Sequence, residues 1–266
     1  MILINGVPDA ILSATNRGLA YGDGVFRTLV LDKGYPRLWR WQYARLHADA
    51  ARLSLAVPDE ALLRDELMRA SEGLHRAVAK ITLTRGDGAR GYAPPAPVSE
   101  PTRIVRAATW GGYPAEWYRS GVVLILCRLR LGFQPRLAGI KHLNRLENVL
   151  ARAEWQDPAI HEGLLLDHEG YVVSGTMSNV FIVHGRQCTT PLLDRCGVDG
   201  AMRHWIMEHH DIVQSRITLD RLLSADEVFL CNSLLGICPV MQLGTRYWHT
   251  FTTAKQLANT LAEEAF

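Results

Sequence analysis

The chain has 266 residues, of which 48% are hydrophobic and 21% are charged, as is usual for a folded globular protein. Its formal net charge of +2, with basic residues spread along the chain, gives no electrostatic basis for a nucleic-acid partner. Its five cysteines include no CxxC pair, which argues against a disulfide framework and a zinc ribbon, so we expect free thiols in a reducing cytoplasm.

The N-terminal part of the sequence predicts strands followed by two helices. MILING is a short strand without the pattern of a signal peptide, and no apolar run in the chain reaches membrane-spanning length. GVFRTLVLDKGYPRL predicts two strands joined by a turn at Asp32 to Gly34. Helical spacing of apolar residues predicts a helix over Trp39–Ala56, and a second helix is expected at about Asp59–Glu72.

RAVAKITLTRG predicts a strand with two different faces. Lys80 and Thr82 lie on one face, and Ala79 and Ile81 lie on the other. TRIVRAATW returns as a further strand. We expect residues 1–112 to form a small N-terminal α+β domain, followed by an inter-domain connection at 113–121.

The remaining residues, 122–266, predict a larger C-terminal domain. GVVLILCRLRL, SNVFIVHG and DEVFLCNS are strands, and EGLLLDHEGYVVSG is a hairpin with its turn at His168 to Gly170. Helices are expected at Leu143–Trp155, which carries an apolar stripe, at about Ala201–His210, and in TAKQLANTLAEEA. This mixture of strands, hairpins and helices predicts an α+β fold rather than a doubly wound parallel sheet.

Three familiar motifs give no support for a function. GDGARG fits GxGxxG after a strand, but a proline-rich loop follows where a dinucleotide-binding motif needs a helix. His204, His209 and His210 are close in sequence, but without HExxH they do not predict a metal site. GxSxG is absent, so a serine hydrolase has no support.

Lys141 is the strongest single candidate for chemistry. Only four of the 29 basic residues are lysines, and arginine cannot act as an amine nucleophile. The apolar neighbours Ile140 and Leu143 would remove water from the amine and favour its neutral, nucleophilic form. From the residues alone, a solvated surface charge remains the alternative.

Several ordered segments resemble the fold-type IV pyridoxal-phosphate enzymes, the family of branched-chain aminotransferases, D-amino-acid aminotransferases and 4-amino-4-deoxychorismate lyases. They are INGVP, RGLAYGDGVFRT, YARLHADAARL, LAGIKHLNRLENVLAR, SGTMSNVF, GVDGAMR and ADEVFLCNSLLGICPV, and they span nearly the whole chain. LTRGDGARGY and AGIKHLNRLENVL look most like the lyases. The resemblance implies a two-domain α+β fold, pyridoxal 5'-phosphate as cofactor and a homodimer. For the lyases it implies conversion of 4-amino-4-deoxychorismate to p-aminobenzoate and pyruvate, in folate biosynthesis.

The resemblance also implies roles for individual residues. Lys141 would be the Schiff-base lysine and proton carrier, and Thr28 matches a catalytic position close to it. The implied cofactor-binding residues are Arg45, Lys141, Ser174, Ala201, Met202 and Ser233. The implied substrate-binding residues, which would meet carboxylates, are Arg90, Tyr92 and Arg27. No metal is implied.

Ser174 departs from the usual pattern of the family. Ser174-Gly175 stands where members usually have a glutamate that faces the pyridine nitrogen of the cofactor. Because a hydroxyl holds that nitrogen protonated less well than a carboxylate does, the cofactor should be a weaker electron sink. A lyase gains driving force from aromatisation, whereas a transaminase does not, so the serine favours the lyase.

Two alternatives to the lyase are kept. One is an aminotransferase for D- or branched-chain amino acids, and the other is a scaffold of this fold that binds a ligand or partner without catalysis.

Overall fold

The computed structural model describes residues 1–96 and 100–264, and the chain divides into two compact units. The first contains Met1–Gly111 and Ile140–Asn144, and the second contains Gly112–Gly139 and Arg145–Phe266. The segment that carries Lys141 therefore belongs to the first unit, although the chain before and after it belongs to the second.

The described part of the first unit contains three helices and a six-stranded antiparallel sheet. The strands are β1 (Ile2–Ile4), β2 (Val7–Pro8), β3 (Gly24–Asp32), β4 (Tyr35–Pro36), β5 (Arg76–Thr84) and β6 (Thr102–Thr109). The helices are α1 (Arg17–Tyr21), α2 (Trp39–Arg52) and α3 (Glu60–Ala70). The strand order is β2-β1-β6-β5-β3-β4.

The alternation predicted for RAVAKITLTRG is confirmed by β5. Ala79 and Ile81 are buried, whereas Lys80 is exposed and Thr82 is half-buried. Both predicted helices of this unit are present with shorter ends, and α3 begins where the Asp59 carboxylate accepts a hydrogen bond from the N–H of Ala61 at 2.8 Å. One face of the sheet therefore packs into the core and the other stays partly open.

The described part of the second unit combines five helices with ten strands. The helices are α4 (Ala115–Ser120), α5 (Leu146–Arg152), α6 (Ala201–His209), α7 (Leu219–Leu223) and α8 (Thr252–Glu264). The strands are β7 (Val122–Leu131), β8 (Glu162–Asp167), β9 (Tyr171–Gly175), β10 (Asn179–His184), β11 (Gln187–Pro191), β12 (Ile212–Ser215), β13 (Ile217–Thr218), β14 (Glu227–Asn232), β15 (Gly236–Leu243) and β16 (Arg246–Tyr247).

These ten strands form one mixed sheet. The order is β12-β11-β10-β14-β15-β7-β8-β9-β13, with β16 paired to β15. The pairs β15–β7, β7–β8 and β11–β12 are parallel, and the others are antiparallel. Residues 113–121, predicted as a connection, contain α4 and belong to this unit. Over 1–96 and 100–264, no helix has the length and apolar character needed to cross a membrane.

The helix predicted for Leu143–Trp155 is wrong at its start, because α5 begins only at Leu146. The preceding residues are extended along β3: His142 pairs with Val25, and the N–H of Leu143 donates to the carbonyl of Gly24 at 3.0 Å. These bonds to a strand cannot be made by a helical segment. The apolar stripe of α5 is also open to solvent, and its exposed members are Leu146, Val149 and Leu150, at 75%, 60% and 61%.

Candidate active site

Lys141 is held in the first unit by both of its main-chain groups. Its N–H donates to Oδ2 of Asp49 at 2.9 Å, and its carbonyl accepts from the N–H of Phe26 at 3.0 Å. The side chain is half-buried, and Nζ lies 4.6 Å from the centre of the Phe26 ring. The strand β3 and the helix α2 therefore set where the amine is presented.

Asp49 is a fully buried carboxylate that sequence reasoning missed. It lies on α2 one turn after Arg45, whose Nη2 is 3.2 Å from Oδ1. It also accepts from Arg27, and Nη2 of Arg27 donates to the carbonyl of Arg45 at 3.0 Å. Two guanidinium groups and the N–H of Lys141 thus satisfy the buried charge. The one available signal was the i, i+4 spacing of Arg45 and Asp49.

Arg27 and Thr28 point to opposite faces of β3. Arg27 is 2% exposed and forms its ion pair with Asp49, so its placement supports a positioning role, and its predicted contact with substrate stays a prediction. Thr28 is half-buried on the open face, directly opposite Lys80 of β5. Its predicted catalytic role is compatible with this position.

The loop of Arg90 and Tyr92 is tethered through its backbone. Nη1 and Nη2 of Arg17 donate to the carbonyls of residues 91–93 at 3.0 to 3.2 Å. The Tyr92 ring meets the Tyr21 ring edge-on at 5.4 Å, yet Tyr92 remains 84% exposed, and Arg90 is also exposed. Both predicted substrate-binding side chains are therefore accessible on an anchored loop.

In the second unit, the start of α6 is held by hydrogen bonds to Asn179. The N–H of Gly200 donates to Oδ1 of Asn179 at 3.2 Å, and Nδ2 of Asn179 donates to the carbonyl of Val198 at 2.8 Å. A Cβ at position 200 would lie 2.5 Å from Oδ1 of Asn179, so a larger residue there would displace the side chain that holds the start of α6. No side chain of the described residues caps the helix at its first turn, where Ala201 and Met202 lie. Their predicted contact with the cofactor phosphate stays a prediction.

Glu162 is a second buried carboxylate that sequence reasoning missed. It is 6% exposed and accepts from the N–H of Thr176 at 3.0 Å and from the hydroxyls of Thr176 and Ser178, the latter at 3.1 Å. Such charge-assisted bonds are stronger than neutral ones. They fix the turn between β9 and β10, which has Ser174 on one side and Asn179 on the other.

The two predicted serines lie in well-ordered surroundings. Ser174 is 6% exposed, and its hydroxyl donates to the carbonyl of Gly175 at 2.8 Å, which leaves its oxygen able to accept. Ser233 is half-buried in the turn after β14, where Oδ1 of Asn232 accepts from the N–H of Leu234 at 2.9 Å. Their predicted contacts with a cofactor stay predictions.

The histidines and cysteines have local explanations. Nε2 of His204 is 2.7 Å from Oδ2 of Asp199, and Nδ1 of His209 is 2.7 Å from the carbonyl of Trp205. In the described ranges, no group of three or more possible ligands is arranged to hold a metal ion. All five cysteines are free and buried, and burial raises the pKa of Cys127 to about 12.

Comparison with known proteins shows a consistent set of relatives. Residues 24–243 match the family described as Amino-transferase class IV. The chain is 36% identical over 245 residues to the aminodeoxychorismate lyase of Vibrio harveyi, with 90% of each chain covered. The structure resembles the crystal structure of 4-amino-4-deoxychorismate lyase from Pseudomonas aeruginosa, with 44% identity, a TM-score of 0.94 and 99% of each chain covered. It also resembles the branched-chain amino acid aminotransferase of Escherichia coli, with 22% identity, a TM-score of 0.83 and coverage of 99% and 93%.

The chain therefore belongs to the class IV aminotransferase family, and the family and the α+β fold predicted from the sequence are confirmed. The similarity to the Escherichia coli aminotransferase concerns the fold alone, because the identity is low. The two lyases are much more similar in sequence.

Proposed function

We propose that this protein is a lyase that uses pyridoxal 5'-phosphate to convert 4-amino-4-deoxychorismate to p-aminobenzoate and pyruvate, a step of folate biosynthesis. The observation that carries the proposal is the presentation of the Lys141 amine over Phe26, with both main-chain groups of the lysine fixed. The lyases from Vibrio harveyi and Pseudomonas aeruginosa support this choice of reaction.

The residues present fit a phosphorylated aldehyde. From the first unit, Lys141 would supply the amine that bonds to the aldehyde, and Arg45 would supply a guanidinium for the phosphate. From the second unit, the uncapped start of α6 at Ala201 and Met202 would donate N–H groups to the phosphate. Ser174 and Ser233 are proposed to contact the cofactor with their hydroxyls.

Once bound, the cofactor supplies an electron sink that makes the C–H bond beside the substrate nitrogen acidic. Lys141 would take the proton from C4 of the substrate ring, acting as a general base. The bond between C3 and the ether oxygen then breaks, a proton goes to the departing enolpyruvyl group, and the ring becomes aromatic. Thr28, on the open face of β3, is proposed to orient the amine or the ether oxygen.

An aminotransferase is the second candidate, because the family includes such enzymes. Ser174 favours the lyase over it: the hydroxyl donates to the Gly175 carbonyl, and a serine carries no charge to keep a ring nitrogen protonated. The higher identity to lyases than to the Escherichia coli aminotransferase points the same way.

We also propose that the enzyme is a cytoplasmic homodimer. The exposed side chains of Leu146, Val149 and Leu150 form an apolar surface on α5 that a second copy of the chain would cover. The five free thiols suit a reducing compartment. Light scattering of the protein at low and high concentration tests the dimer, and a monomer throughout would contradict it.

The absorption spectrum of the purified protein with pyridoxal 5'-phosphate, followed by addition of aminodeoxychorismate, tests the function. We expect a cofactor band that borohydride removes, and release of pyruvate on adding substrate. Lys141→Ala should lose both, whereas the exposed Lys33→Ala should keep both. Amination of 2-oxoglutarate without pyruvate release would favour the aminotransferase, and binding without either reaction would favour a non-catalytic scaffold.

A further inference from the structure

The loop that carries Arg90 and Tyr92 is built around one buried side chain, that of Arg17. Arg17 is 3% exposed and is the first residue of α1. Its main-chain N–H donates to the carbonyl of Gly86 at 2.8 Å, and its guanidinium group donates to the three carbonyls of residues 91–93 at 3.0 to 3.2 Å. One arginine therefore holds the loop at both of its ends.

The glycines of GDGARG are explained by this arginine. Gly86 supplies the first carbonyl that Arg17 binds, and Gly91 supplies one of the last three. Gly91 has a φ of +104°, a conformation that favours glycine. A Cβ at Gly88 would lie 2.9 Å from Cδ of Arg17, whose tip is held by hydrogen bonds and cannot easily move away. The spacing that resembles a dinucleotide-binding motif is thus the spacing with which a loop wraps an arginine.

Asp23 orients Arg17 and ties it to a second arginine. Nε of Arg17 donates to Oδ2 of Asp23 at 2.9 Å, and Nε of Arg85 donates to the same oxygen at 2.8 Å. Arg85 also donates to the carbonyls of Leu53 and Ser54, at 2.7 and 3.1 Å, just after the end of α2. The carboxylate of Asp23 therefore joins the loop to the end of that helix.

Tyr21 adds a second contact to the same loop. Its hydroxyl accepts from the N–H of Gly91 at 3.2 Å, and its ring meets the Tyr92 ring edge-on at 5.4 Å. Cζ of Arg17 lies 4.9 Å from the centre of the Tyr21 ring. The backbone of the loop is thus fixed before any ligand binds, which lowers the entropy that binding must cost.

We propose that Arg17 is the positioning residue of the substrate loop. By holding the carbonyls of residues 91–93, it fixes where Arg90 and Tyr92 present their side chains to the carboxylates of the substrate. Arg17 acts through the loop, since its guanidinium group is buried and directed at carbonyls and at Asp23. The identity of the substrate rests on the proposed lyase function, whereas the anchoring of the loop does not.

Trypsin cleavage of the bond between Arg90 and Gly91 tests the anchor without substrate. A protease needs this segment to open locally, so the cleavage rate reports the population of the open loop. Arg17→Lys keeps the charge beside Asp23 but lacks the planar fork that reaches several acceptors at once. Gly88→Ala keeps the arginine and displaces it. We expect both variants to be cut at this bond about tenfold faster than the wild type, as shown by mass spectrometry of the fragments.

Arg103→Gln is the matched control. Nη2 of Arg103 lies 2.9 Å from Oε1 of Glu66, and the ion pair of Arg17 has the same N–O distance, so the control loses a comparable pair. The side-chain donors of Arg103 go to Glu66, so cleavage after Arg90 should keep the wild-type rate. Wild-type rates in both Arg17→Lys and Gly88→Ala, or an equal increase in the control, would overturn the anchor.

Steady-state kinetics then separate positioning from a merely structural role. We expect Arg17→Lys and Gly88→Ala to raise KM for pyruvate release about tenfold with little change in kcat, because the loop holds the substrate equally before and during the reaction. A structural loss alone would reduce the amount of active enzyme and lower the apparent kcat at constant KM. An unchanged KM in a variant whose loop opens would overturn the positioning role. Absence of pyruvate release from the wild type would instead overturn the lyase, and the cleavage rates would still decide the anchor.

Discussion

Replacing Asp49 by alanine removes the charge that links Arg27, Arg45 and the backbone of Lys141. Asp49 is fully buried and accepts from all three groups. Removing one partner of a buried ion pair costs about 3–5 kcal/mol, because the remaining charges are left uncompensated. With a denaturant dependence of about 3 kcal/mol per M for a chain of this length, the urea midpoint should fall by about 1 M or more.

Asp65→Ala is the matched control. Asp65 also pairs with an arginine one helical turn away, but the Arg69–Asp65 pair has an N–O distance of 3.5 Å and both side chains are about half-exposed. Such a pair contributes about 0–1 kcal/mol, so the control should change the midpoint little. If Asp49→Ala does not fold, Asp49→Asn gives the graded case, since its amide oxygen can still accept from Lys141.

The affinity for pyridoxal phosphate, measured by absorbance titration, separates positioning from charge. Asp49→Asn makes the surroundings of Arg45 more positive, so an electrostatic effect alone would tighten binding of the phosphate. Loss of the hydrogen bond from Arg45 to position 49, which orients the guanidinium group, should instead weaken binding of pyridoxal phosphate. We expect its Kd to rise about tenfold, equivalent to about 1.4 kcal/mol. Tighter binding, or stability equal to that of Asp65→Ala, would refute the positioning role of Asp49.

Three further predictions concern the second unit. Glu162→Gln should lower the free energy of unfolding by about 3 kcal/mol in urea, because an amide nitrogen would then face the N–H and hydroxyl donors of the turn. The thiol of Cys196 has its pKa raised to about 12 by burial, and an unfolded thiol loses its proton near pH 8.5. Stability should therefore fall as pH rises from about 9 towards 12, less steeply in Cys196→Ser, as followed by thermal melting. Ser174→Glu should raise amino transfer to 2-oxoglutarate relative to pyruvate release in a coupled assay, and no rise would contradict the role given to Ser174.

Local periodicity predicted the elements that pack as regular layers. The alternation of Lys80 and Ala79 and the helical spacing from Trp39 both reflect burial of one face, so they can be read from the sequence. The residue at which α5 begins could not be predicted from periodicity. Its preceding residues have helix-compatible spacing, but their hydrogen bonds go to β3, which is more than a hundred residues earlier in the chain. Hydrogen bonding to the distant strand β3 therefore determined the conformation of these residues more strongly than the local sequence pattern did.

The sequence suggested candidate residues for chemistry, but it did not suggest the residues that hold them in place. Lys141 stands out as one of only four lysines, and Arg45 was assigned through the resemblance of its segment to a known family. Asp49 and Glu162 look like ordinary surface acids in the sequence. Burial makes them important, and burial depends on which distant donors surround them. Acidic residues are usually exposed, but Asp49 and Glu162 are buried, and the reason is the same at both positions. Each carboxylate accepts hydrogen bonds from donors in segments that it holds in place.

The charge balance around Lys141 explains why its support is ionic rather than apolar. An apolar residue at position 49 would remove a buried carboxylate that both Arg27 and Arg45 contact. Oδ1 of Asp49 faces the guanidinium group of Arg45, while its second oxygen accepts the N–H of Lys141. The same residue therefore stabilises the fold, orients Arg45 and fixes the backbone of the amine. That combination requires an acidic side chain at this one buried position, and it is why the comparison of alanine and asparagine at position 49 is informative.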